Sequence, residues 1–252
     1  MAPLIFTLLL FLNITPVFAQ DSGQAQLLYQ EGMRAMQEND MKQAEEYLKQ
    51  ASSLDPSNFQ YHFELSNIYA LRYDQAQQGK GGDFYGREAL LAALGQLQQT
   101  IMLKPDYVPA HFNMGILYKN HDEFERAREC FKKVIRLTPQ DTRAYLQVGE
   151  TYERQGFFDE ARDYYARAQE VNAADPAVQD AIESSRRNEV KYEQGRKSRD
   201  QTNYLSNASS LFRQSAISNP NGANAQEQSG TPSLASLGMM LAQQVMNKKS
   251  QQ

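Results

Sequence analysis

Small and apolar residues return along this chain at a fixed interval. Gly115 and Gly149, Ala127 and Ala161, and Phe131 and Tyr165 each stand 34 positions apart. The same order of residue types runs through Gly32…Ala44…Leu48…Ala51…Pro56, through Gly115…Tyr118…Ala127…Phe131…Pro139 and through Gly149…Tyr152…Ala161…Tyr165…Ala168. A small residue lets two helix axes approach closely, and the bulky residue four positions after the alanine fills the adjacent groove. Glu38-Asn39-Asp40 and Gln155-Gly156 fall between the two halves of their units and have turn chemistry. Each unit is therefore predicted to run helix, short turn, helix and stop, and the chain to be all-α.

A period of about 34 residues with a helix-turn-helix unit resembles the tetratricopeptide repeat family. The predicted domain covers 20–199, with units at 25–58, 59–107, 108–141 and 142–175. In the first unit Ala35 replaces the aromatic expected before the turn, and Glu31 stands where an apolar residue is usual. The second unit carries Leu65-Ser66 and Tyr69 in one helix and Ala93, Leu97 and Pro105 in the other. Between them lies an insertion, 72–86, with Gly79, Gly81, Gly82 and Gly86. Asp175-Pro176 then opens a capping helix, 176–199, whose Val178, Ala181 and Ile182 share a face suited to closing the stack. The resemblance implies an α-solenoid.

The flanks read differently. Leu4 to Leu12 is almost unbroken apolar sequence, Pro16 breaks a helix, and Val17-Phe18-Ala19 offers small residues at a cleavage site. Residues 1–19 are expected to be a signal peptide, placing the protein in the periplasm or outside the cell. The run is too short to span a bilayer, although the absence of Lys or Arg before it leaves an uncleaved anchor open. From 200 to 230 Ser, Asn, Gln and Gly dominate, and a disordered linker is expected. Thr231-Pro232-Ser233 then starts an amphipathic helix within 231–252, with Leu234, Leu237, Leu241 and Val245 on one face. Such a helix could dock back on its own domain.

Composition narrows the function classes. The 252 residues include 26 basic and 30 acidic side chains, a net charge of −4 that gives no general field for nucleic acid. One cysteine, Cys130, excludes a disulfide framework within the chain. His62 and His111 share one repeat position and His121 sits in a turn, without the spaced partners of a metal site. Gly79-Lys80-Gly81-Gly82 lacks the earlier glycine and the following hydroxyl of a phosphate-binding loop. No nucleophile–base pair is evident, so an enzyme or a small-molecule receptor is the least favoured reading, and no cofactor or metal is expected.

What remains is binding to a protein or peptide. The resemblance implies a concave groove lined by the first helix of each unit. It places Tyr29, Phe63, Phe112 and Leu146 there at one repeat position, and Met33, Asn67, Ile116 and Glu150 at another. Lys119, Asn120, Arg143 and Arg154 neighbour them. The groove is expected to be apolar at its N-terminal end and charged at its C-terminal end. Asn67 and Asn113 match asparagines that some relatives use to clamp a C-terminal carboxylate, but Tyr29 and Phe63 replace the required bases. Phe84 and Tyr85 in the insertion are a second candidate contact, with a tolerated surface insertion as the alternative. The expected function is an interaction scaffold or adaptor acting outside the cytoplasm; the alternative is an assembly factor or chaperone for an envelope, pilus or secretion machine.

Overall fold

A computed structural model of the chain describes residues 15–80 and 82–218. It contains α1 (Thr15–Gln37), α2 (Met41–Leu54), α3 (Phe59–Gln75), α4 (Gly82–Leu103), α5 (Val108–Asn120), α6 (Phe124–Leu137), α7 (Thr142–Arg154), α8 (Phe158–Val171) and α9 (Pro176–Ser218). No strand occurs among the described residues. The helices pair as α1/α2, α3/α4, α5/α6 and α7/α8, and each second helix packs on the first helix of the next pair. This is the all-α solenoid of helical hairpins that the spacing predicts.

Repeated local chemistry sets the ends of these helices. Within three hairpins the turn contains a left-handed residue at matching positions: Asn39 (φ 62°), Asp122 (φ 59°) and Gly156 (φ 83°). Only glycine and short polar residues adopt that conformation cheaply. Asn58, Asp141 and Asp175 cap α3, α7 and α9 by accepting from the backbone N–H two residues on. Tyr107, at the matching position before α5, makes no side-chain cap, and Pro109 in that first turn brings no N–H to be satisfied.

A further device repeats with the helices. The ring nitrogen Nε2 of His111 lies 2.8 Å from the Pro105 carbonyl oxygen, and that of His62 lies 3.2 Å from the Pro56 carbonyl oxygen. Tyr145 donates to the Pro139 carbonyl and Gln179 to the Ala173 carbonyl, again six residues back. Each side chain ties the first turns of a helix to a carbonyl in the connection that precedes it, two residues past the end of the previous helix. The two histidines are thus built into the connections between hairpins.

Within each hairpin the predicted small-to-large contact is present. A Cβ built on Gly115 would fall 2.6 Å from Phe131, and one on Gly149 would fall 2.4 Å from Tyr165. On Gly32 it would meet Leu48 at 3.0 Å. Phe131 and Leu48 are wholly buried. The second unit departs in step, with Ser66 and Leu97 at the corresponding positions, both buried.

The insertion takes a form different from the expected glycine-rich loop. The left-handed turn position of the other hairpins corresponds here to Tyr73, which instead continues α3, is buried and donates from its hydroxyl to the Asn120 carbonyl. A kink, Ala76–Lys80, follows, where Gly79 takes a left-handed, non-helical conformation at φ 80°. Helix α4 then begins about two turns before the position that matches the start of α6. The inserted residues therefore lengthen both helices of one hairpin. Their glycines serve the tip and a close helix contact: a Cβ on Gly86 would lie 3.2 Å from Ala76 Cβ. Glycine count suggested a loop because it cannot register that Tyr73, Ala89 and Leu90 bury an apolar face. Phe84 and Tyr85 fall within α4, and their side chains lie outside the described ones.

The chain divides into two units at Ser185/Arg186. The first holds the hairpins and the opening turns of α9, where Val178 and Ser185 are buried as a capping helix requires. In the second, α9 runs on to Ser218, past the expected boundary at 199 and into the stretch expected to be a disordered linker. The hydroxyls of Thr202, Ser206, Ser209 and Ser210 turn back onto carbonyls three or four residues earlier. A helix satisfies its own backbone, and polar composition does not register that local closure. The rest of the expected linker, 219–230, the C-terminal helix at 231–252 and most of the expected signal segment lie outside the described residues. No described helix is long and apolar enough to cross a membrane.

Candidate protein-binding face

Helices α1, α3, α5 and α7 meet side by side through their own side chains. Tyr29 of α1 lies against Tyr61 of α3, with ring centroids 5.2 Å apart. Asn113 of α5 donates to Asn67 of α3 at 3.0 Å. Lys119 of α5 donates to Gln147 (2.7 Å) and Glu150 (2.6 Å) of α7. Along this row Tyr29, Met33, Phe63, Phe112, Ile116 and Leu146 are half-buried, whereas the residues pointing between paired helices are closed off from water.

The N-terminal part of the row is aromatic. Phe63 meets Tyr107 edge-on at 5.0 Å, and Phe59 meets the same ring at 4.9 Å. Further along, Phe112 stands edge-on to the buried Phe131 at 5.5 Å, and Ile116 packs on the same small cluster. The aromatic side chains thus have an apolar back against the core and an accessible front.

The charged residues named for the C-terminal part are each already engaged. Lys119 is buried and paired with Glu150. The guanidinium of Arg143 makes two bonds to Asp141, at 2.9 and 2.7 Å, and covers the Phe112 ring at 5.3 Å. Arg154 donates to the Lys119 carbonyl and to Asp122, and lies over Phe124. Asn120 is exposed, and its carbonyl accepts from Tyr73. Asn67 and Asn113 are bonded to each other, which together with the aromatic rings at 29 and 63 argues against a carboxylate clamp.

Three residues of this face escaped the sequence reading: Glu64, Tyr61 and Tyr107. Glu64 belongs to a repeat position adjacent to the expected groove positions, and the contact of Asn113 with Asn67 shows why that position faces the neighbouring hairpin. Burial pushes the Glu64 carboxyl above its ordinary range, against a smaller opposing effect of the Asn67 amide that donates to it at 3.0 Å. The phenols of Tyr29 and Tyr107 are raised first by burial and then by the negative charge of Glu64.

Burial pushes the Cys130 thiol up to about 11, keeping it a poor nucleophile at neutral pH. Among the described residues no three His, Cys, Asp or Glu side chains converge as metal ligands. A cavity of about 190 Å³ lies between the lengthened α3–α4 tip and His121, bordered by Tyr73, Arg87 and Leu90. That is small for an organic ligand.

Comparison with known proteins agrees with this architecture. Tetratricopeptide repeat models match residues 112–182 and residues 25–58. A crystal structure of MamA is similar at 26% identity over 63% of this chain and 84% of MamA, with a TM-score of 0.52. A thermophilic TPR protein of Thermus thermophilus is similar in fold at 24% identity, over 64% of this chain and 80% of its own, with a TM-score of 0.53. No curated protein sequence matches the chain.

Proposed function

From the premise that the chain is a tetratricopeptide repeat protein, we propose that it is a non-enzymatic scaffold. It binds an extended peptide or a helix of a protein partner along the shared face of α1, α3, α5 and α7. The observation that carries this reading is the row of half-buried apolar side chains, Tyr29 to Leu146, on a face otherwise stitched together by completed polar contacts. Apolar side chains with a supported back and an open front supply contact area at little further ordering cost.

Cross-linking the full chain, followed by mass spectrometry, supplies the partner for titration. The double variant Phe63→Ala/Phe112→Ala is expected to weaken that partner by tenfold or more, the size of one interface anchor. Undiminished affinity in a variant that keeps its helical circular dichroism would remove this face from the reading. A chain lacking 231–252 belongs in the same titration. Its affinity rises if the predicted C-terminal helix competes for the face, and an unchanged value disposes of that competition.

The place of action is proposed to lie outside the cytoplasm, on the strength of the apolar segment and Val17-Phe18-Ala19. Sequencing the N-terminus of protein recovered from the source cell tests this: a processed chain begins at Gln20, and a chain that keeps Met1 contradicts cleavage.

A further inference from the structure

We propose that the half-buried Glu64, on the aromatic part of this face, receives a basic side chain, lysine or arginine, from the protein partner. The inference rests on the binding face described above and names the chemistry of one of its anchors.

Charge on this face is otherwise balanced in pairs. Glu150 is held by Lys119, Arg143 by Asp141, Arg154 by Asp122 and Glu31 by Arg34. Glu64 differs. Its partner is a neutral amide, that of Asn67, and among the described residues no base lies within 4 Å of its carboxylate. The nearest lysine of the aromatic cluster, Lys104, is spent on the rings of Phe59 (4.4 Å) and Tyr107 (5.3 Å). A carboxylate withdrawn from water without a counter-charge destabilises the fold. Its sequence neighbour Phe63 stands edge-on to Tyr107 at 5.0 Å, and Tyr61 of the same helix lies against Tyr29 at 5.2 Å, so the carboxylate belongs to the aromatic part of the face. Ring faces carry partial negative charge and attract cations, and the carboxylate supplies charge-assisted hydrogen bonds to an ammonium or guanidinium. An anionic or purely aliphatic anchor would leave the half-buried carboxylate uncompensated, so this position selects against both.

The test starts from a random twelve-residue peptide library displayed on phage and selected on the full chain. Peptides whose binding needs Phe63 and Phe112 are expected to carry one Lys or Arg between apolar residues. Replacing that base by norleucine should weaken a synthetic peptide tenfold or more. Glu64→Gln should weaken the parent peptide equally and leave the norleucine peptide unaffected. Face-dependent peptides that lack a base, or that ignore Glu64→Gln, overturn the inference and leave the binding face standing. If no selected peptide depends on Phe63 and Phe112, both readings fall.

Thermal unfolding separates binding from folding. Because burial raises the Glu64 carboxyl in the folded state, its unfavourable contribution is absent below the unfolded pKa. It grows as pH rises from the unfolded pKa towards the raised folded one and is complete above the latter. Glu64→Gln should therefore raise the midpoint at pH 7 and leave it unchanged near pH 3. A lower midpoint at pH 7 would mean that the carboxylate serves the fold, and would also overturn the proposal.

Discussion

Phe131→Ala is expected to destabilise the helical stack by about 3–5 kcal/mol, the usual loss for emptying a buried phenylalanine site. The ring is 0% exposed and sits in the crevice opposite Gly115, whose missing side chain leaves room for it. Neighbouring helices relax only partly around an alanine, so a cavity remains between α5 and α6. The third hairpin is central, and its loss divides the stack. Denaturant unfolding followed by circular dichroism measures the effect, and a loss below about 1 kcal/mol would contradict the packing described. Function should follow, because Phe112 leans edge-on against Phe131 at 5.5 Å and would lose its support. The second unit suggests a partial remedy. It uses Ser66 with Leu97, so Gly115→Ser combined with Phe131→Leu should cost less than the sum of the two single changes.

Gly149→Leu is expected to produce the opposite fault, too much volume, with a loss of roughly 3 kcal/mol or more. Even the first added carbon would fall 2.4 Å from Tyr165, far inside contact distance. Tyr165 is 4% exposed, and its hydroxyl donates to Glu153 at 3.0 Å, so displacing the ring also breaks a shielded hydrogen bond. Burial, then the nearby Glu153 charge, hold this phenol above its ordinary pKa, which favours the protonated donor. The fourth hairpin lies next to the capping turns of α9. Hydrogen exchange should therefore show lost protection confined to α7, α8 and the start of α9. Gly95→Ala is the control: nothing lies within 4 Å of the added carbon, and a helical alanine should stabilise by about 0.5–1 kcal/mol. Equal damage from both variants would argue against a packing cause.

The long hairpin of the second unit illustrates how insertions enter a repeat stack. Adding residues at a hairpin tip leaves the contacts between neighbouring hairpins in register, because the tip projects beyond them. Tyr73 shows the adaptation: at the position where other units reverse direction, it remains helical and reaches across to the Asn120 carbonyl of the next hairpin. Loop entropy sets little limit on such growth, and paired helices recover buried surface as they lengthen.

Periodicity was enough to infer the helices, their pairing and the small-to-large contacts at Gly32, Gly115 and Gly149, because a packing constraint repeated every 34 residues leaves its mark on residue size. The family resemblance put Tyr29, Phe63, Phe112 and Leu146 at one repeat position, and they form a row of half-buried side chains. Size and polarity at a single position carry no record of which distant group completes a contact. For that reason the engagement of Lys119, Arg143 and Arg154, the bond between Asn67 and Asn113, and the carboxylate of Glu64 without a base became visible only once α3, α5 and α7 stood side by side. Local backbone bonding likewise decided that the helices on either side of the Gly79 kink are lengthened and that the polar stretch to Ser218 is helical, since a helix satisfies its hydrogen bonds internally whatever the composition around it suggests.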